Sequence, residues 1–178
     1  MQHVPDRELR VMNGAHLLGA VLGLAGLALP ASAAESPFRP VPGSAWSQDP
    51  ATGCRFVRPA SLTEGPTHWA GACRSGKADG LGMLRRRDGG ASSAAFYGEL
   101  RDGVPAIGVL DLADGYVVGR FVNGDIGTRD TEWQERLDSF RVAARAARAV
   151  SARYAAQKNP RSAAFYKRVA ETLDMQIE

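Results

Sequence analysis

The sequence predicts an α+β chain: a short stack of antiparallel β-hairpins followed by a C-terminal two-helix hairpin. Three observations carry that reading. One phrase recurs through the middle of the chain, as Trp69-Ala-Gly71-Ala-Cys73-Arg-Ser75-Gly76, Phe96-Tyr-Gly98-Glu-Leu100-Arg-Asp102-Gly103 and Val117-Val-Gly119-Arg-Phe121-Val-Asn123-Gly124. From Thr131 onward the composition changes, with no glycine and one proline. Residues 17–29 form a run of Leu, Ala, Val and Gly without a charge, ahead of everything else.

The apolar run is too short for a bilayer, which needs about 20 residues. It is followed by Pro30 and Ala31-Ser32-Ala33-Ala34, the small-residue pattern that a signal peptidase accepts. Residues 1–34 therefore read as a secretory signal peptide, with either Met1 or Met12 as the start. The mature chain is expected outside the inner membrane, in a periplasm. Removing the leader takes away two basic and two acidic residues and leaves the formal charge at +3, which gives no reason to expect nucleic acid. Residues 35–52 hold four prolines, several serines and one glycine and read as an extended or disordered lead-in. Cys54 and Cys73 both lie in the exported part, where an oxidising compartment favours a disulfide; no metal or cofactor is expected.

Residues 53–128 are the expected β domain. In the first unit, residues 69–73 alternate large and small side chains as a half-buried strand does. Ser75-Gly76 then supplies a two-residue turn, because glycine accepts the positive φ required there. The return strand runs through Gly80-Leu81-Gly82-Met83-Leu84, and Asp88-Gly89 marks the next reversal. The second unit follows the same course, with Asp102-Gly103 as its turn, Ile107-Gly108-Val109-Leu110 as its return strand and Asp114-Gly115 as its end. The third, from Val117 through Gly119 to Gly124 and about Gly127, is a half copy. Each hairpin is expected to carry a single apolar face and to bury it by stacking on the next. Glycines inside strands cost stability, so they mark close backbone approach or sharp twist.

This pattern resembles the MORN repeat family, whose unit reads roughly Tyr-x-Gly-Glu-Trp-x-Asn-Gly-x-x-x-Gly-x-Gly and closes with Asp-Gly. Trp69, Gly71, Gly76, Gly80, Gly82, Asp88 and Gly89 match in the first unit. Phe96, Gly98, Glu99, Asp102, Gly103, Gly108, Asp114 and Gly115 match in the second, one residue short in the middle. The resemblance covers residues 69–124, with an insertion at residues 91–95 between the units. Cys73 stands where the family has an aromatic. It should share a face with Trp69, so that a bridge would pin Cys54-Arg-Phe56-Val57 against the first unit and cap the sheet's edge. The resemblance implies a binding or scaffolding role.

Residues 129–178 are the expected helical hairpin. Thr131-Glu-Trp-Gln134 reads as a capping box, followed by Trp133, Leu137, Phe140, Ala144, Ala147 and Tyr154 at helical spacing, which read as core. Asn159-Pro160 marks the N-cap and first turn of a second helix, with Phe165, Val169, Leu173 and Ile177 on its apolar stripe. Arg141, Arg145 and Arg148 form a stripe on the far side of the first helix, and Arg85-Arg86-Arg87 form a second basic cluster. Each reads either as a solvated face or as a contact for an acidic partner or anionic envelope surface.

No G-x-S-x-G, H-E-x-x-H, Walker loop or S-x-x-K is present. The expected role is therefore a non-catalytic interaction or scaffold module of the bacterial cell envelope, contacting an unidentified protein or envelope component and capable of self-association. The alternative is a small envelope hydrolase, or an inhibitor of a peptidoglycan-degrading enzyme, built around His68 with a serine such as Ser61 or Ser75.

Overall fold

In the computed structural model the described residues are 46–62, 64–87, 94–122, 124–126 and 130–177. The expected secretory signal (residues 1–34), residues 35–45, the expected Asp88-Gly89 reversal, residues 91–93 of the expected insertion, Asn123 and Gly127 lie outside them.

Among the described residues, seven strands form one sheet: β1 (Trp46–Gln48), β2 (Arg55–Val57), β3 (Thr67–Arg74), β4 (Lys77–Arg86), β5 (Ala95–Arg101), β6 (Val104–Leu112) and β7 (Gly115–Arg120). Two helices follow, α1 (Trp133–Ala156) and α2 (Pro160–Asp174). The two repeat hairpins are β3–β4 and β5–β6, and antiparallel pairing continues from β4 through β7. Both tips are type I′ turns. Ser75 and Gly76 have φ of 47° and 73°, and Asp102 and Gly103 have 49° and 85°, the paired positive values whose twist matches that of the flanking strands.

The repeated glycines align across the sheet. Gly82 pairs with Gly98, Gly98 with Gly108, and Gly108 with Gly119. Aromatic rings two residues upstream lie down over this row. A Cβ on Gly71 would sit 2.1 Å from the Trp69 ring, and one on Gly98 would sit 2.4 Å from the Phe96 ring. The spacing aromatic-x-Gly therefore encodes a ring packed flat on the backbone of its own strand.

The expectation of a single apolar face per hairpin is corrected. Met83, Tyr97, Val109 and Val118 point to one face, where they share a core with Phe140, Ala144, Ala147 and Val150 of α1 and Tyr166, Ala170 and Leu173 of α2. Their neighbours Leu84, Phe96 and Leu110 point to the other, packing with Trp69, Cys54, Phe56, Leu62 and Phe121. Strand alternation serves both faces because each is covered.

The disulfide joins Cys54 to Cys73, with Cα atoms 5.9 Å apart. It ties β2 to the repeats as expected, but β2 does not extend the outer edge of β3. Its pairing is parallel, to the start of β4, and it runs across the hairpin tips. The Arg55 amide donates to the Gly76 carbonyl at 2.9 Å and the Val57 amide to the Gly103 carbonyl at 2.7 Å. The stretch read as lead-in also ends in order, since β1 pairs with β2.

The helix predictions need three changes. Helix α1 starts at Trp133 with Glu132 as N-cap and no side-chain cap. Thr131 instead donates to the Val118 carbonyl at 3.0 Å, and Glu135 accepts from the Arg120 amide at 2.6 Å. The would-be capping residues thus stitch the helix entrance to β7. Trp133, read as core, is 70% exposed. On α2 the buried stripe is Tyr166, Ala170 and Leu173, while Phe165 is turned outward. Asn159 caps α2 as expected, accepting from the Ser162 amide, with Pro160 opening the first turn.

Candidate functional site

The helical face of the sheet extends past the helices that cover it, and a cleft opens there. Its sheet wall is a cross-strand row: Glu99 pairs with Ile107, and Ile107 with Arg120. Arg101 lies two residues beyond Glu99, on the same face as Tyr97. Helix α1 supplies the facing wall. Its buried side carries Phe140, Ala143, Ala144 and Ala147, which leaves Asp138, Arg141, Arg145 and Arg148 at its margin. Asp174, the last residue of α2, closes one end. The cleft encloses about 560 Å³ and is lined by five arginines (Arg101, Arg120, Arg141, Arg145 and Arg148), three carboxylates (Glu99, Asp138 and Asp174) and the aliphatic Ile107 and Val142.

Each carboxylate already holds an arginine. Glu99 accepts two bonds from Arg101, at 3.1 and 3.2 Å. Asp138 accepts from Arg141 at 3.1 Å, and Asp174 pairs with Arg148 between the helices. Among the described residues the Arg120 and Arg145 side chains make no ion pair. The cleft therefore carries two positive charges more than its own carboxylates neutralise, on a concave surface where a field of one sign is focused.

The predicted stripe Arg141, Arg145, Arg148 thus lies on one wall of a cleft. Sequence reasoning missed Arg101 and Arg120. The signal was there: counting by twos from Tyr97 and Val118 reaches Glu99, Arg101 and Arg120, but only knowledge that the helices cover this face gives the count meaning.

Arg85, Arg86 and Arg87 do not form a single patch, because they alternate across a strand end. Arg85 stacks over Phe165 with its guanidinium 5.7 Å from the ring centre, and Arg87 lies 5.6 Å over Tyr154 and donates to its hydroxyl. Arg86 lies against Gly65 on the opposite side. Near Arg85, burial raises the pKa of the Asp111 carboxyl above its ordinary value, and the Arg85 charge offsets part of that rise. Tyr116 beside it is also raised, by burial and then by the Asp111 charge.

His68 lines a second, smaller cleft of about 240 Å³ with Asp49, Arg87, Arg153 and Tyr154. Its Nδ1 is 3.4 Å from Asp49 Oδ1. The buried Asp49 carboxylate also accepts from the amides of Ala51, Thr52 and Trp69, so its position is fixed by the β1–β2 turn and by β3. Ser61 bonds Asp125 at 3.5 Å, and Ser75 occupies a hairpin tip; neither lines this cleft. Among the described residues no group of three or more His, Cys, Asp or Glu is placed to hold a metal, and no helix is long and apolar enough to cross a membrane.

No protein-family model, curated protein or solved structure matches the chain.

Proposed function

We propose that the chain is an exported, non-catalytic interaction module of the bacterial cell envelope, of MORN-like repeat type, that holds an acidic partner in its arginine-lined cleft. The observation that carries this reading is the pair of uncommitted guanidinium groups, Arg120 and Arg145, in a concave site whose other three arginines are already neutralised. The hairpins, the glycine row and the overlying Trp69 and Phe96 rings support the repeat reading. The intrachain disulfide supports an oxidising compartment.

Contact through an open sheet face has less support, because a helical layer covers one face and the β1–β2 segment with its loops covers the other. Binding is better placed in the cleft. Charge reversal at Arg145, which has no ion-pair partner among the described residues, is a cleaner test than reversal of the whole stripe. Arg148→Glu would instead set a carboxylate against Asp174 and strain the helix pair. With wild-type melting retained, Arg145→Glu is expected to abolish retention of the partner from an envelope extract; undiminished retention would refute the reading. A hydrolase or lysozyme-inhibitor role has the Asp49–His68 pair in its favour, and full activity of His68→Ala in a peptidoglycan assay would remove it.

A further inference from the structure

The charge arrangement and the shape of the cleft together define the chemistry of what it holds. At about 560 Å³ it falls within the roughly 300–1,000 Å³ of sites for drug-sized ligands. A lone inorganic anion would leave most of it to water. An anionic membrane or other continuous polyanion would meet Glu99, Asp138 and Asp174 along the same walls. Two positive charges remain to be matched, Arg120 at the end of β7 on the sheet side and Arg145 on α1 opposite. Each wall adds one aliphatic side chain, Ile107 on the sheet and Val142 on α1, which are 5% and 8% exposed and offer the apolar part of the surface.

Building on the binding role proposed above, we infer that the cleft takes a short acidic peptide segment bearing two carboxylates with an aliphatic residue between them. One carboxylate meets Arg120 and the other Arg145, each through the forked donors that suit a carboxylate bidentately. The aliphatic side chain rests on Ile107 and Val142. The three internal ion pairs reject a third negative charge, so they set selectivity for a dianionic segment over a more highly charged one.

The test is calorimetry on the disulfide-intact protein with an acetylated and amidated Glu-Leu-Asp peptide, and in parallel with inorganic phosphate. The peptide is expected to bind one to one, with affinity that falls as salt rises. Arg120→Gln and Arg145→Gln should each weaken it about tenfold or more, as loss of a charge-assisted contact does, at unchanged melting temperature. Arg161→Gln, on α2 beside Arg85 and outside the cleft, should leave affinity unchanged. Equal affinity in the Arg120→Gln/Arg145→Gln double variant would overturn the assignment. Displacement of the peptide by phosphate of equal affinity would also overturn it, in favour of a small-anion site. If the peptide fails to bind while Arg145→Glu still releases a captured envelope partner, the peptide class falls and the binding role stands.

Discussion

Replacing Gly98 with alanine adds one methyl group at a crowded point of the glycine row. The new Cβ would lie 2.4 Å from the Ile107 carbonyl oxygen, 2.4 Å from Cζ of Phe96 and 2.9 Å from Cα of Gly108. Two of these atoms are backbone of the paired strand. The third belongs to a ring that is fully buried and packed edge-on against Phe121, with centroids 5.1 Å apart. Burying the methyl gains at most about 0.8 kcal/mol. Overpacking of a closed site costs about 1–3 kcal/mol, and each ladder hydrogen bond lost as β6 moves away costs about 1 kcal/mol more. The net loss should be about 3 kcal/mol.

Gly76→Ala is the natural comparison. Its φ of 73° makes alanine strained, but no atom lies within 4 Å of the added Cβ, so its cost should stay near the ~1–2 kcal/mol of a left-handed L-residue. Urea unfolding followed by tryptophan fluorescence reads both changes. With a slope of about 2 kcal/mol/M for a domain of this size, Gly98→Ala should lower the midpoint by roughly 1.5 M at unchanged slope. A shift no larger than that of Gly76→Ala would show that the rings do not lie on the glycine row.

Three further outcomes are expected. Cys54→Ala/Cys73→Ala opens a link across 19 residues and should cost about 3 kcal/mol by chain entropy, read as a lower urea midpoint that dithiothreitol reproduces in the wild type; equal midpoints would show that β2 is held without the bridge. Asp111 has a carboxyl pKa raised by burial, so its ionisation opposes folding above the folded pKa and ceases to do so below the unfolded value of about 3.9. Asp111→Asn should therefore be more stable than wild type at pH 7 and lose that advantage as the pH falls through the folded pKa; an advantage that grows in acid would contradict the sign. Lys158 ends α1 at φ 57°, with its amide and that of Asn159 donating to the carbonyls of Ala155 and Tyr154, a terminating turn that favours glycine. Lys158→Gly should raise the melting temperature, by about 1 kcal/mol in stability, and a fall would show that the lysine side chain contributes something the turn geometry does not.

The hairpins were legible because turn chemistry is local. Ser75-Gly76 and Asp102-Gly103 specify positive φ without help from distant residues, as does Asn159-Pro160 for the start of α2. The disulfide was legible from the cysteine number, two, and from the expectation that both cysteines lie in an exported part. What the sequence did not reveal depends on partners far along the chain. Tyr97, Val109 and Val118 could be assigned to a buried second face only once α1 was known to lie on it. Trp133 reads as core by helical spacing, yet at the helix entrance the neighbouring Thr131 and Glu135 bond to β7 and the indole is left outside. Phe165 likewise yields its place to Tyr166, whose ring stacks on Tyr154 at 5.3 Å. In the cleft the helical stripe was visible as a periodicity, whereas Arg101 and Arg120 join it only through the register of β5, β6 and β7.

The most direct test of the cleft as the binding site is retention of an envelope component by wild-type protein and by the Arg120→Gln/Arg145→Gln variant, in parallel, at low and high salt. A component held by the wild type at low salt, released at high salt and not held by the equally stable variant is the expected result. Equal retention by both proteins would place the function elsewhere on the molecule.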